Sequence, residues 1–138
     1  MFSQRMISAL FLGCALLSGP GKAVIPKAAV APNYPPLAAV ARVSGDVVIQ
    51  VGIGASGSVT KAELISGHPL LAKAALDAAK RWRFESEPIQ GRTTRVEFEF
   101  VMLPERSASS VETTFFPPDK VEIRYTPAKP PVNYHRNQ

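Results

Sequence analysis

DVVIQVGIGASGSVTKAELI, residues 46–65, is the stretch on which the fold turns. Its first part sets Val47, Ile49, Val51 and Ile53 on one side of an extended chain and Val48, Gln50 and Gly52 on the other. That period of two predicts a strand with a core face. Ala55-Ser56-Gly57-Ser58 supplies small turn formers, and Val59 to Ile65 reads as a second strand, so the pair is expected to form an antiparallel hairpin. By strict parity Val59 falls with Lys61 and Glu63, while Ala62 and Leu64 take the opposite face. A bulge in the second strand is therefore expected.

Ser66-Gly67-His68-Pro69 ends that strand and opens a helix running to about Trp82, with proline near the start, where its missing N–H would be unpaired in any case. Leu71, Ala75, Ala78 and Trp82 form one stripe, and Lys73, Asp77, Lys80 and Arg81 the wet side. Trp82 reads as a core anchor. After Glu87-Pro88 and a turn at Gly91, Thr94 to Met102 alternates cleanly, with Val96, Phe98, Phe100 and Met102 inward and Arg95, Glu97 and Glu99 outward. The charged outer set implies that one sheet face is open to solvent. On the other side, Asn33-Tyr34-Pro35-Pro36 starts a short helix that uses Leu37, Val40 and Ala41 and ends at Ser44-Gly45. The order helix, strand, strand, helix, strand predicts an α+β layer pair, a small sheet of about three strands packed against two helices.

Thirteen prolines in 138 residues is a high count, and they gather at Pro20 to Pro36 and at Pro117 to Pro131, framing one foldable unit. Residues 1–23 read as a secretory signal: Arg5 in the basic segment, an apolar run from Met6 to Leu17, and small residues allowing cleavage after Ala23. The run is well short of the ~20 residues that span a bilayer as a helix. Retention of the leader as an anchor is one alternative. Acylation at Cys14, whose Leu12-Gly13-Cys14 context loosely resembles a lipobox, is the other, and membrane association is expected only in those two cases. Cys14 is the only cysteine, so a cleaved chain holds no disulfide. Residues 24–31 read as a lead-in with little structure. The tail, 104–138, is polar and proline-rich apart from Phe115-Phe116 and an alternating Val121, Ile123 and Tyr125, which predict a further strand over 120–125; disorder is expected beyond Pro127.

The formal charge of +5 includes Arg5 and Lys22 of the leader, and no basic tract carries interleaved aromatics, so nucleic acid is not an expected partner. His68 and His135 stand at no metal-ligand spacing. No nucleophile-elbow motif frames a serine, Glu97 and Glu99 read as a solvated strand face, and Gly52-Ile53-Gly54 leads into a strand rather than a helix. The expectation is a protein without catalytic residues, metal or cofactor.

Tyr34-Pro35, Ala41-Arg42, Gly45-Asp46-Val47-Val48-Ile49, Ser56-Gly57-Ser58-Val59, Ile65-Ser66-Gly67, Ala75-Leu76 and Trp82-Arg83-Phe84, in that order, resemble the TonB C-terminal domain family over residues 32–103. The resemblance implies a periplasmic protein-binding module that takes up the TonB box, an extended segment of an outer-membrane receptor, by strand addition at a sheet edge. By family position the contacts are Arg95, Val96, Glu97, Phe98, Glu99 and Phe100 on the edge strand, with Asn33, Tyr34 and Pro35 as a second region. Full-length transducers of the family carry a membrane-spanning helix that engages the ExbB and ExbD motor, and a long spacer. If the leader stays uncleaved, the residues between Leu17 and Pro32 would reach only about 50 Å even fully extended, at roughly 3.3 to 3.6 Å each. Glu85-Ser86-Glu87 stands where the family usually has a proline. A stand-alone interaction module without energy transduction is the alternative reading, with self-association through the sheet edge as a structural variant of it. The resemblance and the tail together suggest that Lys120 to Tyr125 covers the edge strand in the free protein.

Overall fold

A computed structural model describes residues 26–85 and 92–131. The proposed leader with Cys14, the turn around Pro88 and Gly91, and the last seven residues lie outside this range. The described chain forms β1 (Pro26–Ala28), α1 (Pro36–Val40), β2 (Gly45–Ile53), β3 (Val59–Ser66), α2 (Pro69–Lys80), β4 (Arg83–Phe84), β5 (Thr93–Met102), β6 (Ser110–Phe116) and β7 (Lys120–Thr126). Five strands make one sheet in the order β3-β2-β5-β7-β6, and β1 and β4 form a small second pair. The class is α+β, and the sheet is larger than the three strands expected.

The period-two reading of β2 and β5 holds in detail. Val47, Ile49, Val51, Ile53, Val96, Phe98 and Phe100 are all buried, joined from β7 by Val121 and Ile123. Burying one such side chain stabilises the fold by about 1.5–3 kcal/mol relative to leaving it exposed. β2 and β5 run antiparallel from Gly45 opposite Phe100 to Gly52 opposite Thr93. In the β2–β3 ladder Ile53 faces Val59 and Gly52 faces Lys61, so Thr60 is the extra residue of the expected bulge. A second irregularity leaves Ile65 unmatched between Leu64 and Ser66. The hairpin turns through Gly57, whose φ of 81° is open to glycine at no steric cost. Gly67, at φ 144°, lies so close to β2 that a Cβ would sit 2.9 Å from a Val47 methyl.

Helix α2 begins at His68, whose Nδ1 accepts from the Leu70 N–H at 3.1 Å, with Pro69 in the first turn. It covers the inner face of β3, β2 and β5 with Leu71, Ala75 and Ala78, the alanines allowing close approach, while Lys73, Asp77 and Lys80 face water. It stops at Lys80, and Trp82 follows as a fully buried plug between Phe84 and Phe98, each 6.0 Å away by ring centroid. The Trp82 Nε1–H donates to the Val30 carbonyl at 2.8 Å, which ties the lead-in to the core. That bond, with the β1–β4 pairing, gives the 26–31 segment more structure than its small-residue sequence suggests. The backbone partner of β1 is the Arg83–Phe84 segment, so local propensity had little to show.

Helix α1 departs from its sequence pattern. Ala38 is its buried residue, whereas Leu37 is 71% and Val40 84% exposed. With five residues the helix is too short for a stripe to be defined, and the Tyr34 anchor sets its rotation. It closes with the Val43 N–H on the Ala38 carbonyl at 2.8 Å and the Arg42 N–H on the Ala39 carbonyl at 3.2 Å, Arg42 taking the left-handed φ of 54° usually given to glycine.

The tail shows the largest difference from expectation. Residues 110–126 form a β-hairpin that adds two strands to the sheet, so that 104–126 is not a loose appendage. Ala128 also bridges to Arg106, which extends order past Pro127. Trp82→Phe is expected to lower stability by about 1–2 kcal/mol, since it strands the Val30 carbonyl and removes ring volume, and Trp82→Ala by about 3–5 kcal/mol. Urea denaturation checks both, and a Trp82→Phe protein as stable as the parent would show that the indole bond contributes nothing.

Candidate partner-binding edge

The nine residues singled out from the sequence separate into two groups. Asn33 and Pro35 are accessible and border a groove of about 420 Å3 between α1 and the start of α2, which Pro36, Leu37, Pro69 and Leu70 also line. Tyr34 lines it too but is only 7% exposed: its hydroxyl donates to the Val43 carbonyl, and its ring stands edge-on to Phe100 at 5.5 Å and tilted against Tyr125 at 5.1 Å. Burial pushes its phenol up from the ordinary value. Tyr34 is therefore a pin holding lead-in, β5 and β7 together.

On β5, Val96, Phe98 and Phe100 point into the core, while Arg95, Glu97 and Glu99 point to the uncovered face. The expectation of an open edge there does not hold in this state. β2 pairs with one side of β5, and β7 pairs in parallel with the other from Glu97 opposite Lys120 to Met102 opposite Tyr125. The physical reason is the alternation of Val121, Ile123 and Tyr125, which completes the apolar inner face. Both ends of β7 are fastened to β5: the Glu97 N–H donates to the Asp119 carbonyl and the Leu103 N–H to the Tyr125 carbonyl, each at 2.8 Å. Residues Thr93 to Val96 lie outside the β5–β7 register. The covering segment is the one suggested from the sequence, Lys120 to Tyr125.

Charge on the uncovered face reinforces this arrangement. Strand register sets Asp46, Glu99 and Glu122 side by side on β2, β5 and β7. Adjacent carboxylates repel. Lys120 answers them, with Nζ 2.8 Å from Glu99 and 3.3 Å from Glu97, and the two carboxylates hold its ammonium well above the usual lysine range. Arg124 pairs with Glu122. Partial desolvation, then Glu99 and Glu97, push the Asp46 carboxyl up, with Lys120 acting in the opposite sense. Arg42, at the end of α1, pairs with Glu105 ahead of β6.

Strand β6 was missed from the sequence. Val111, Thr113 and Phe115 alternate ahead of Pro117, but two threonines and a run of neighbouring serines hid the signal. Among the described residues no group of three or more His, Cys, Asp or Glu is placed to hold a metal ion, and no helix is long and apolar enough to cross a membrane.

The family model described as the Gram-negative bacterial TonB protein C-terminal matches residues 30–103, more than half of the chain. The chain belongs to the TonB C-terminal family. Among curated relatives, Protein TonB of Xanthomonas campestris pv. campestris, in strains B100 and ATCC 33913, is 40% identical over 63 residues, covering 44% of this chain. The match spans 28% of each of those relatives. The TonB C-terminal region as matched contains α1 through β5 and ends at Leu103, so the β6–β7 hairpin lies beyond it.

Two measurements probe the charge on the β5–β7 seam. Lys120→Glu should loosen β7, read as faster amide exchange from Val121 to Tyr125 and a lower denaturation midpoint; unchanged exchange would show that backbone and apolar contacts alone hold the strand. Because folding raises the Asp46 pKa, the folded state keeps that proton more tightly, and stability falls as pH rises through the interval above the ordinary value of 3.8. Asp46→Asn should then be more stable than the parent at pH 7, by at most about 0.5 kcal/mol after solvent screening, with no difference well below the ordinary aspartate value.

Proposed function

We propose that this chain is a protein-binding module of the bacterial envelope, acting in TonB-dependent outer-membrane transport and taking up an extended receptor segment by strand addition to β5. The observation that carries this reading is β7 itself. The far side of β5 already accepts an extended segment in parallel register, and that segment is supplied by the chain's own tail. In this reading β7 occupies the place that a TonB box would take, so receptor binding requires the hairpin to yield. Membership of the TonB C-terminal family supports the transport role, and the reading of residues 1–23 as an export signal supports a periplasmic site of action.

The replaced contacts set the chemistry of the ligand. An incoming strand must substitute for Val121 and Ile123, both buried, each worth about 1.5–3 kcal/mol. It is therefore expected to carry aliphatic or β-branched residues at alternate positions, with polar residues between them facing Glu97 and Glu99. Backbone bonds give affinity and the inward side chains give selectivity.

A reversible lock tests the reading. Glu99 and Glu122 are registered neighbours on β5 and β7, so cysteines at both positions, in a Cys14→Ser background, should form a disulfide that fixes the hairpin in place. Titration calorimetry with a TonB-box peptide should show binding to the reduced protein and at least a tenfold loss on oxidation. Equal binding in both states would place the peptide elsewhere, and no binding in either would remove the receptor role.

A further inference from the structure

The lead-in reaches the added hairpin twice, each time through one aromatic side chain. The Val30 carbonyl accepts the Trp82 Nε1–H at 2.8 Å, and the same indole stands edge-on to Phe115 of β6, 6.1 Å away by ring centroid. Four residues on, the Tyr34 ring packs against Tyr125 of β7 at 5.1 Å while its hydroxyl donates to the Val43 carbonyl. Helix α2 packs on β3, β2 and β5, and toward the hairpin the aromatic cover is Trp82 and Tyr34. Both strands of the hairpin thus rest on side chains whose placement involves the lead-in. Outside these contacts the lead-in is lightly held. β1 meets β4 through two registered pairs, Pro26 with Phe84 and Ala28 with Arg83, with an irregularity between them, and its proline cannot donate. β4 has supports of its own, a bridge from Arg83 to Ser58 and the Phe84 N–H on the Gly57 carbonyl at 2.8 Å, so β1 can leave without dismantling it. Segments with few backbone bonds open locally at a lower free energy than the whole fold.

We propose that the lead-in, residues 26–34, is a latch on the β6–β7 hairpin: through Trp82 and Tyr34 the order of each segment stabilises the other, so that the two open together. Such a linkage is reciprocal. Whatever peels residues 26–31 from β4 loosens β7, and whatever displaces β7 loosens the lead-in. The mechanism needs no long pathway, since one side chain separates the two segments at each of the two contacts. It also belongs to this chain in particular, because Phe115 and Tyr125 lie beyond the matched family region. The linkage is independent of what binds β5. Its consequence for transport rests on the strand-addition reading, in which uptake of a receptor segment in place of β7 is transmitted to the chain ahead of α1.

Hydrogen exchange by NMR on the whole protein, with no ligand added, tests the latch, because named bonds report on each segment. The Trp82 indole N–H reports on the lead-in, and the Glu97 and Leu103 amides report on β7. With Glu99→Cys and Glu122→Cys in the Cys14→Ser background, oxidation fixes the hairpin and should slow indole exchange by about fivefold or more relative to the reduced protein, a gain of order that a misfolded chain could not produce. In the other direction, Pro26→Gly with Ala28→Gly raises the entropic cost of ordering the lead-in and touches no hairpin residue. Exchange at Glu97 and Leu103 should then quicken by about threefold or more, while the β2–β3 ladder stays as in the parent. Overturning results are an indole that exchanges equally in the oxidised and reduced proteins, a glycine variant whose Glu97 and Leu103 amides keep the parental rate, or a change of the same size throughout the β2–β3 ladder, which would report global stability alone. None of these outcomes requires a receptor peptide, so failure of the latch and failure of strand addition are distinguishable.

Discussion

The central position of β5 is the constraint on which the rest of the molecule depends. Its inward residues Val96, Phe98 and Phe100 are buried because β2 flanks them on one side and β7 on the other, with α2 and Trp82 above. From Glu97 to Met102, where β7 pairs with it, that strand has no backbone groups to offer a further chain. In a family fold ending at β5, the same strand would be an edge. Whether β5 is an interior or an edge strand therefore depends on the hairpin that follows Leu103, beyond the family match.

Several weak fastenings hold that hairpin, and no single strong one does. Val121 and Ile123 supply apolar contact, Tyr34 wedges its ring between Phe100 and Tyr125, and Lys120 bridges two carboxylates at a solvent-exposed site where salt screens the attraction. Parallel pairing is slightly less stable per residue than antiparallel pairing. Against this, β2 and β5 share an antiparallel ladder in register along its whole length. Tyr34 packs against both strands of the β5–β7 seam and so ties it to the segment before α1.

Much of this architecture was legible in the residues. Strong alternation in residues 46–53 and 94–102 identified the two central strands and their buried faces, and the off-parity Val59 marked the bulge at Thr60. Gly67 and Pro69 marked the start of α2. What resisted reading was non-local. β1 exists through its partner Arg83–Phe84, and the exposure of Leu37 and Val40 follows from tertiary placement of a helix too short to have a face of its own. Strand β6 is polar enough to pass for linker because neither of its faces is well covered. For the candidate site, the sequence identified the strand that becomes the centre of the sheet and the segment that covers it. Which side chains remain accessible depended on packing, and Tyr34 is the instructive case, since an aromatic beside a proline reads equally well as contact or as core.

Trp82 is the only tryptophan in the chain, and it stands where the lead-in, α2, β5 and β6 converge, bonded to Val30 and edge-on to Phe98 and Phe115. Its indole is consequently a built-in optical gauge. Departure of the hairpin removes one aromatic neighbour, and release of the lead-in removes the bond to Nε1. Emission wavelength and quenching of one natural fluorophore can thereby follow both events in unlabelled protein.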